Sequence, residues 1–167
     1  SGTTVAISSD GNTVAIGAPK NDDNGSDSGH VRVFDWNGSA WTQRGADIDG
    51  EAASDNSGYN SISNDSNTIV IGAWYNDGNG SNSGHARVFD WNGSVWTQRG
   101  SDIDGEAAGD ESGTTVAISS DGNTIVIGAQ YNDGNGSNAG HVRIYNWNGS
   151  FWHQLGSDID GEASGDY

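Results

Sequence analysis

The sequence predicts an all-β fold, a β-propeller-like array of three four-stranded antiparallel blades. Three observations predict it. One long block recurs at residues 12–41, 67–96 and 123–152, from NTVAIGAPKNDDNGSDSGHVRVFDWNGSAW to NTIVIGAQYNDGNGSNAGHVRIYNWNGSFW. Inside each copy, short β-branched or alternating runs are separated by Asp-Gly, Asn-Gly and Gly/Asn/Asp clusters, which is the pattern of strands joined by turns. Copies of about 56 residues have the size of one supersecondary unit that must bury its faces against neighbouring units. The repeats divide the chain at 1–56, 57–111 and 112–167.

The first copy shows how each element arises. Residues 3–9 alternate, with Val5 and Ile7 on one face and Thr4, Ala6 and Ser8 on the other, so they read as a strand. Asp10-Gly11 is a two-residue hairpin turn, and residues 12–18 form the second strand. In the third copy this strand is Thr124-Ile125-Val126-Ile127, apolar on both faces, as expected of a sheet packed between two others. Residues 19–28 hold too much Gly, Asn and Asp for regular structure. Residues 29–36 (GHVRVFDW) read as the third strand, Asn37-Gly38 as its turn, and residues 40–48 as one continuous fourth strand. The segment 49–56 leads into the next copy. The second copy opens with SGYNSISN, one residue short, and Asp65-Ser66 replaces the Asp-Gly turn; its first strand is expected to be the most irregular of the three. No helix is predicted.

Composition narrows the function classes. Gly makes up 27 of the 167 residues, a content compatible with disorder, but the regular apolar runs and seven Trp argue for a packed fold. A net charge of −17 with six basic residues excludes a nucleic-acid partner, because phosphate binding needs clustered Lys and Arg. No apolar run is long enough to span a bilayer, so no membrane insertion is expected. Cysteine is absent, which removes disulfides and thiol chemistry. The acidic residues are mostly Asp set among Gly and Asn, a context for turns and hard-cation ligation. The absence of Met and a repeat that breaks off at Tyr167 lead to the expectation that the chain belongs to a longer repeat protein or assembly.

The run GD-x-SG-x-x-VAIS-x-DGN-x-x-x-IGA…GHVR[VI][FY], seen at residues 109–145, resembles the FG-GAP repeats of integrin-alpha-like β-propellers. The resemblance covers the whole chain in three copies. It rests on Gly17-Ala18, Gly72-Ala73 and Gly128-Ala129 and on the G-x-V-x-V/I strands that follow. Two features depart from it. Ser1, Ser57 and Ser112 stand where the family has Phe, and the calcium cage often carried between the first two strands is shortened here to SSDGN. The resemblance implies the fold and an adhesive or scaffolding role, and does not carry over that metal site.

Several residue sets are candidates for chemistry. In the NDGNGSN loops, Asp77, Asn79 and Ser81, and likewise Asp133, Asn135 and Ser137, place short oxygen side chains in alternation with Gly, a pattern suited to calcium. A plain surface turn is the other reading, and no closing Glu completes an EF-hand. The segment DIDGEA, with Asp104, Glu106 and Asp110, is a second cation candidate. Asn24, Asn37, Asn64, Asn79, Asn92, Asn135 and Asn148 each head an Asn-x-Ser acceptor for glycosylation, although Asn-Gly is also the preferred hairpin dipeptide. His30/Arg32, His85/Arg87 and His141/Arg143 recur in every copy. They suit either an anion or sugar site, or a polar pair that ties strands or blades together through a carboxylate. Trp36/Trp41, Trp91/Trp96 and Trp147/Trp152 flank the Asn-Gly turns as cross-strand pairs; exposed, they could bind sugar faces. Lys20, Trp74, Gln130 and His153 each occur in one copy only.

No catalytic residue is identified, because the carboxylates recur by repeat and do not converge as a unique pair. The expected role is a non-enzymatic, extracellular or cell-surface structural or adhesive module that mediates protein–protein assembly. The alternative is a calcium-assisted, lectin-like carbohydrate binder, with calcium as the one candidate cofactor and glycans as ligands. A third reading is the scaffold of an enzyme whose active site lies elsewhere. Three blades would leave two apolar end faces, so the expected partners are further repeats or other copies of the chain, in an oligomer or filament.

Overall fold

A computed structural model describes residues 1–166; Tyr167, the last residue of the third copy, lies outside the described residues. Each copy forms one antiparallel sheet. In blade 1 the strands are β1 (Thr4–Ile7), β2 (Thr13–Ala18), β3 (His30–Trp36), β4 (Trp41–Gln43) and β5 (Ile48–Asp49). Blade 2 contains β6 (Tyr59–Ile62), β7 (Thr68–Ala73), β8 (His85–Trp91), β9 (Trp96–Gln98) and β10 (Ile103–Asp104). Blade 3 contains β11 (Ser112–Ile118), β12 (Thr124–Ala129), β13 (His141–Trp147), β14 (Trp152–Gln154) and β15 (Ile159–Asp160). No helix occurs among the described residues.

The first three strands of each sheet follow the predicted order, β1-β2-β3 in blade 1, with Val14 opposite Phe34 and Ile16 opposite Arg32. The fourth strand departs from expectation. The continuous strand over 40–48 is two short pieces, β4 and β5, both paired with β3. Between them Gly45 takes φ +74° and lies against the ring of Trp91 from the next blade. Gln43 Nε2 donates to Gly45 O and Asp47 Oδ1 (3.2 and 2.6 Å) and closes the loop. The third copy breaks in the same way, with Gly156 at φ +75° and Gln154 Nε2 donating to Asp158 Oδ1, although nothing among the described residues lies against Gly156, so the break is local to the Gln-x-Gly-x-Asp loop and the neighbouring Trp packs on it.

The second correction concerns irregularity. The first strand of the second copy, β6, pairs with β7 in unbroken register from Tyr59 to Ile62. The register shift lies in the third copy, between Ser112 and Thr115 of β11. The extra residue of the longer copies is accommodated as a bulge with Gly113 at φ +92°, a left-handed conformation that glycine supplies at low cost. The deletion in copy two removes that bulge and leaves a plainer strand.

The core consists of two seams between blades. In the first, Ala15, Val31, Val33 and Ile48 of blade 1 meet Ile62, Ile69, Ile71 and Phe89 of blade 2. In the second, Val70, Ala86, Val88 and Ile103 of blade 2 meet Ile125, Ile127 and Tyr145 of blade 3. Strand β7 thus sends Ile69 and Ile71 to one seam and Val70 to the other, which is why its sequence is apolar at every position and all six of its residues are buried. Because the strands alternate in direction, the β2–β3 loops and the inter-copy linkers share one rim, and the Asp-Gly and Asn-Gly turns share the other.

Candidate functional site at the blade seams

The polar residues that recur in every copy gather at the linker rim of the seams. At the first seam, His85 and Arg87 project from β8 and Glu51 arrives on the linker from blade 1. Arg87 Nη1 lies 3.4 Å from Glu51 Oε1, and Arg87 Nη2 donates to the Asp49 carbonyl at 2.7 Å. Glu51 Oε2 lies 3.9 Å from His85 Nδ1. The second seam repeats the arrangement: Arg143 Nη1 is 3.7 Å from Glu106 Oε1, Arg143 Nη2 donates to the Asp104 carbonyl at 2.7 Å, and His141 Nδ1 lies 3.7 Å from Glu106 Oε2. Glu51 and Glu106 are the carboxylates that the recurring arginines are expected to meet. The DGEA motif at residues 49–52, 104–107 and 160–163 was the available signal.

Three His–carboxylate groups result: Asp23/His30/Asp47, Glu51/His85/Asp102 and Glu106/His141/Asp158, each with its potential ligand atoms within 4.8 Å of one another. Burial, then the adjacent Arg87 guanidinium, pushes the His85 imidazole down to about 4, so it is neutral near neutrality. Burial raises the carboxyl of Glu51 above its ordinary value, against the pull of Arg87. An imidazole with two carboxylates is a ligand set that a divalent transition ion can use. At the two seams, Arg87 and Arg143 supply positive charge to the same glutamates. In blade 1 the group stands at a free face. Arg32 lies over the Phe34 ring at 5.5 Å, and no carboxylate pairs with it among the described residues.

A second set of bonds crosses each seam nearer the opposite rim. Arg44 pairs with Asp35 of its own blade (Nε to Oδ2, 2.7 Å) and reaches forward to donate to the Ser66 carbonyl at 2.6 Å. Trp96 Nε1 donates back to the Arg44 carbonyl at 3.0 Å, and Arg44 stacks over Trp91. Arg99 repeats this with Asp90, the Gly122 carbonyl, Trp152 and Trp147. In the third copy Leu155 replaces the arginine and Asn146 replaces its aspartate. The tryptophan pairs are tilted, with centroids 5.5, 5.4 and 5.4 Å apart in copies one to three.

The loop candidates are placed differently from the sequence pattern. Asp77 Oδ1 accepts from Asn82 N at 2.8 Å, and Asp133 Oδ1 from Asn138 N at 2.7 Å, so each carboxylate holds its own loop. The Asn79 amide donates to the Gly105 and Glu106 carbonyls, and Asn135 to those of Gly161 and Glu162, tying loop to linker. Asn24 does the same with Gly50 and Glu51. Ser81 and Ser137 are exposed. Asp104 approaches this loop beside Gly78, whereas Asp110 Oδ2 accepts from Asn132 at 2.9 Å across the second seam. The hairpin acceptors Asn37, Asn92 and Asn148 use Oδ1 to accept the two following backbone N–H groups (Ser39 and Ala40 for Asn37). Ser39 and Ser94 add their hydroxyls to the same oxygens, which gives the Ser after Asn-Gly a structural reason. Asn64 is exposed in the turn of blade 2. Lys20, Trp74, Gln130 and His153 do not converge: Lys20 meets Asp27, Trp74 stacks on Tyr75, Gln130 bonds Glu111 and His153 faces Phe151.

Comparison with known proteins adds to this geometry. A family model described as FG-GAP repeat matches residues 1–34, 47–89 and 102–145. No curated protein gives a significant sequence match. Among solved structures, a candidate 6-phosphogluconolactonase from Bacteroides uniformis superposes with a TM-score of 0.63 at 11% identity, over 94% of this chain and 40% of that one. A second from Bacteroides fragilis gives 0.64 at 10% identity over 95% and 38%. The β-propeller domain of the trilobed protease from Pyrococcus furiosus, described as having an open velcro topology, gives 0.53 at 13% identity over 94% and 44%. The chain therefore spans about two fifths of the length of these structures, and likeness at such identities shows the fold alone.

Proposed function

The chain belongs to the FG-GAP repeat family, and on that premise we propose that it is a non-enzymatic structural or adhesive β-propeller module that mediates protein–protein assembly, outside the cell or at its surface. The observation that carries this reading is the use to which the recurring polar groups are put. At the two seams His, Arg, Glu and Trp, the residue types that would serve catalysis or sugar binding, join one blade to the next. Their chemistry is that of a clasp: an ion pair from a guanidinium to a carboxylate and a charge-assisted bond from the same guanidinium to a backbone carbonyl, beside a buried imidazole. Repetition at both seams fits a repeated packing problem better than a unique reaction centre. The resemblance to integrin-alpha-like repeats supports the extracellular placement.

The test is a panel of lactone, ester, peptide and glycoside substrates together with a glycan array read with and without a chelator. Neither turnover nor glycan retention is expected. Turnover that tracks with the purified chain would overturn the non-enzymatic reading. Chelator-sensitive glycan binding would replace it with a calcium-assisted lectin.

A further inference from the structure

His30 of β3 is buried, at 5% exposed, and its Nδ1 has no hydrogen-bond partner. A buried polar atom in that position has given up its bonds to water without a replacement, which folded proteins rarely tolerate. The nitrogen faces two carboxylates. Asp47 Oδ2 lies 3.3 Å from it and Asp23 Oδ2 3.6 Å, and the three potential ligand atoms all fall within 4.8 Å of one another. Asp47 stands in the loop between β4 and β5 and is held there, because its Oδ1 accepts from Gln43 Nε2 at 2.6 Å. Asp23 stands in the β2–β3 loop with its side chain 66% exposed, so the group is open to water on that side. Asp49 is the cross-strand partner of His30 and adds a third negative charge nearby.

This group belongs to one blade. Its three residues lie within positions 23–47, so it is assembled without a neighbouring copy. The equivalent histidines at the seams are served differently. His85 and His141 meet Glu51 and Glu106, which arrive on the linker from the preceding blade, and each glutamate also lies 3.4 or 3.7 Å from an arginine. Copies two and three carry Gly78 and Gly134 where copy one carries Asp23. Asp23 thus gives the first copy a second carboxylate from its own loop, aimed at the unpartnered nitrogen.

We propose that Asp23, His30 and Asp47 bind a divalent transition ion, with Zn²⁺ the ion that the donor set fits best and water in the remaining position. Zinc held by a histidine nitrogen and carboxylate oxygens at about 2.0–2.2 Å in a tetrahedron places neighbouring ligand atoms about 3.4 Å apart. The separations of 3.3 and 3.6 Å from Nδ1 match that spacing. The ion gives Nδ1 the partner it lacks and draws together two carboxylates that otherwise repel each other. One imidazole and two carboxylates fall short of the six to eight oxygens that calcium takes, and imidazole is a zinc ligand by preference. The bond from Gln43 fixes Asp47 as hydrogen-bonded neighbours fix the carboxylate ligands of metal sites. The ion site goes beyond the assembly reading and does not depend on it.

The test is calorimetric titration of the 167-residue chain, stripped with a chelator and dialysed, with zinc chloride and separately with calcium chloride at moderate salt. Wild type is compared with Asp23→Gly and Asp47→Asn. The tightest step in wild type is one Zn²⁺ per chain, and calcium does not reproduce it. Asp23→Gly installs the residue of the other two copies, and Asp47→Asn keeps an acceptor for Gln43, so both retain the circular dichroism of wild type. Each weakens the zinc step by at least about tenfold, the loss that follows even from disturbing a ligand's neighbour. Cobalt gives a second readout: the visible absorption of tetrahedral Co²⁺ is present in wild type and lost in both variants. In NMR spectra the His30 imidazole is the one that shifts at one equivalent of zinc. Absence of a saturable zinc step in wild type would overturn the inference and leave His30 Nδ1 holding a proton between the aspartates. So would a zinc step retained in either variant, a calcium step of equal strength or a first shift at another histidine, each of which would mean an adventitious ion on the acidic surface or a site elsewhere.

Discussion

At the residue scale, one turn shows how the same backbone is built from different residues at different cost. Gly11, Ser66 and Gly122 occupy the same turn position with φ of 74°, 63° and 72°. A left-handed conformation costs a residue with a Cβ roughly 1–2 kcal/mol. Ser66→Gly is therefore expected to stabilise the fold by about 1 kcal/mol and Gly11→Ser to destabilise it by a similar amount, as urea unfolding measures directly. His85 provides a second test. Its folded value, about 4, lies below its ordinary value of 6.5, so the unfolded chain binds the proton more tightly. The stability this provides is present above about pH 6.5 and is lost as pH falls toward 4. Glu51 and Asp104, raised by burial, act in the opposite sense, favouring the folded state at low pH and losing that effect as pH rises through their folded values. His85→Gln should flatten the fall in stability between pH 6.5 and 4, seen as a smaller shift of the urea midpoint; an unchanged slope would mean that His85 does not titrate there.

At the scale of elements, equivalent strand positions differ according to what covers them. Ile71 is 1% exposed in the first seam, whereas Ile16, its counterpart in β2, stands half-buried at the free face. Ile71→Ala should cost about 2–5 kcal/mol, as core truncations do. Ile16→Ala should cost clearly less, and denaturation of the two variants side by side checks the difference. The Arg99–Asp90 pair offers a sharper experiment, because the third copy has already changed both members to Leu155 and Asn146. Arg99→Leu alone strands the Asp90 carboxylate and loses the bond to the Gly122 carbonyl, a loss of about 1–3 kcal/mol. Adding Asp90→Asn should recover part of it, so the double variant is more stable than the sum of the singles predicts. Strict additivity would mean that the two side chains act independently.

At the scale of the whole molecule, charge and shape oppose each other. A chain with net charge −17 repels itself within a fold and between copies, and salt screens that repulsion over about 8–10 Å near physiological ionic strength. Raising NaCl from low to moderate concentration should therefore raise the melting temperature. A fall would mean that the Arg–Glu clasps outweigh the net charge, and a thermal melt across a salt series separates the two. The outer faces of blades 1 and 3 leave Ile7 and Ile159 exposed, whereas the first seam buries their equivalents Ile62 and Ile48.

The sequence by itself determined the repeat, the three sheets and the first three strands of each, because hairpin dipeptides and period-two alternation are local signals and three copies state them three times. The two-sided burial expected of Thr124-Ile125-Val126-Ile127 is met on one side only, since Ile125 and Ile127 are buried in the second seam and Val126 is half-buried; the strand with a blade on either side is β7, which carries the same pattern. What it left to the tertiary structure was every contact made between copies. The fourth strand looked continuous in sequence but breaks at a glycine loop closed by Gln43 on Asp47, and the structure shows that Trp91 of the next blade packs against Gly45 there. The shortened first strand of copy two looked irregular, yet deletion removed a bulge that only strand pairing defines. Asn79 looked like a cation ligand and bonds the linker carbonyls of Gly105 and Glu106. Glu51 and Arg87, thirty-six positions apart in the chain, meet only because one sheet stacks on the next. Local pattern specifies a blade; which side chains face each other across a seam depends on how two blades pack, and that is settled by close-packing in three dimensions.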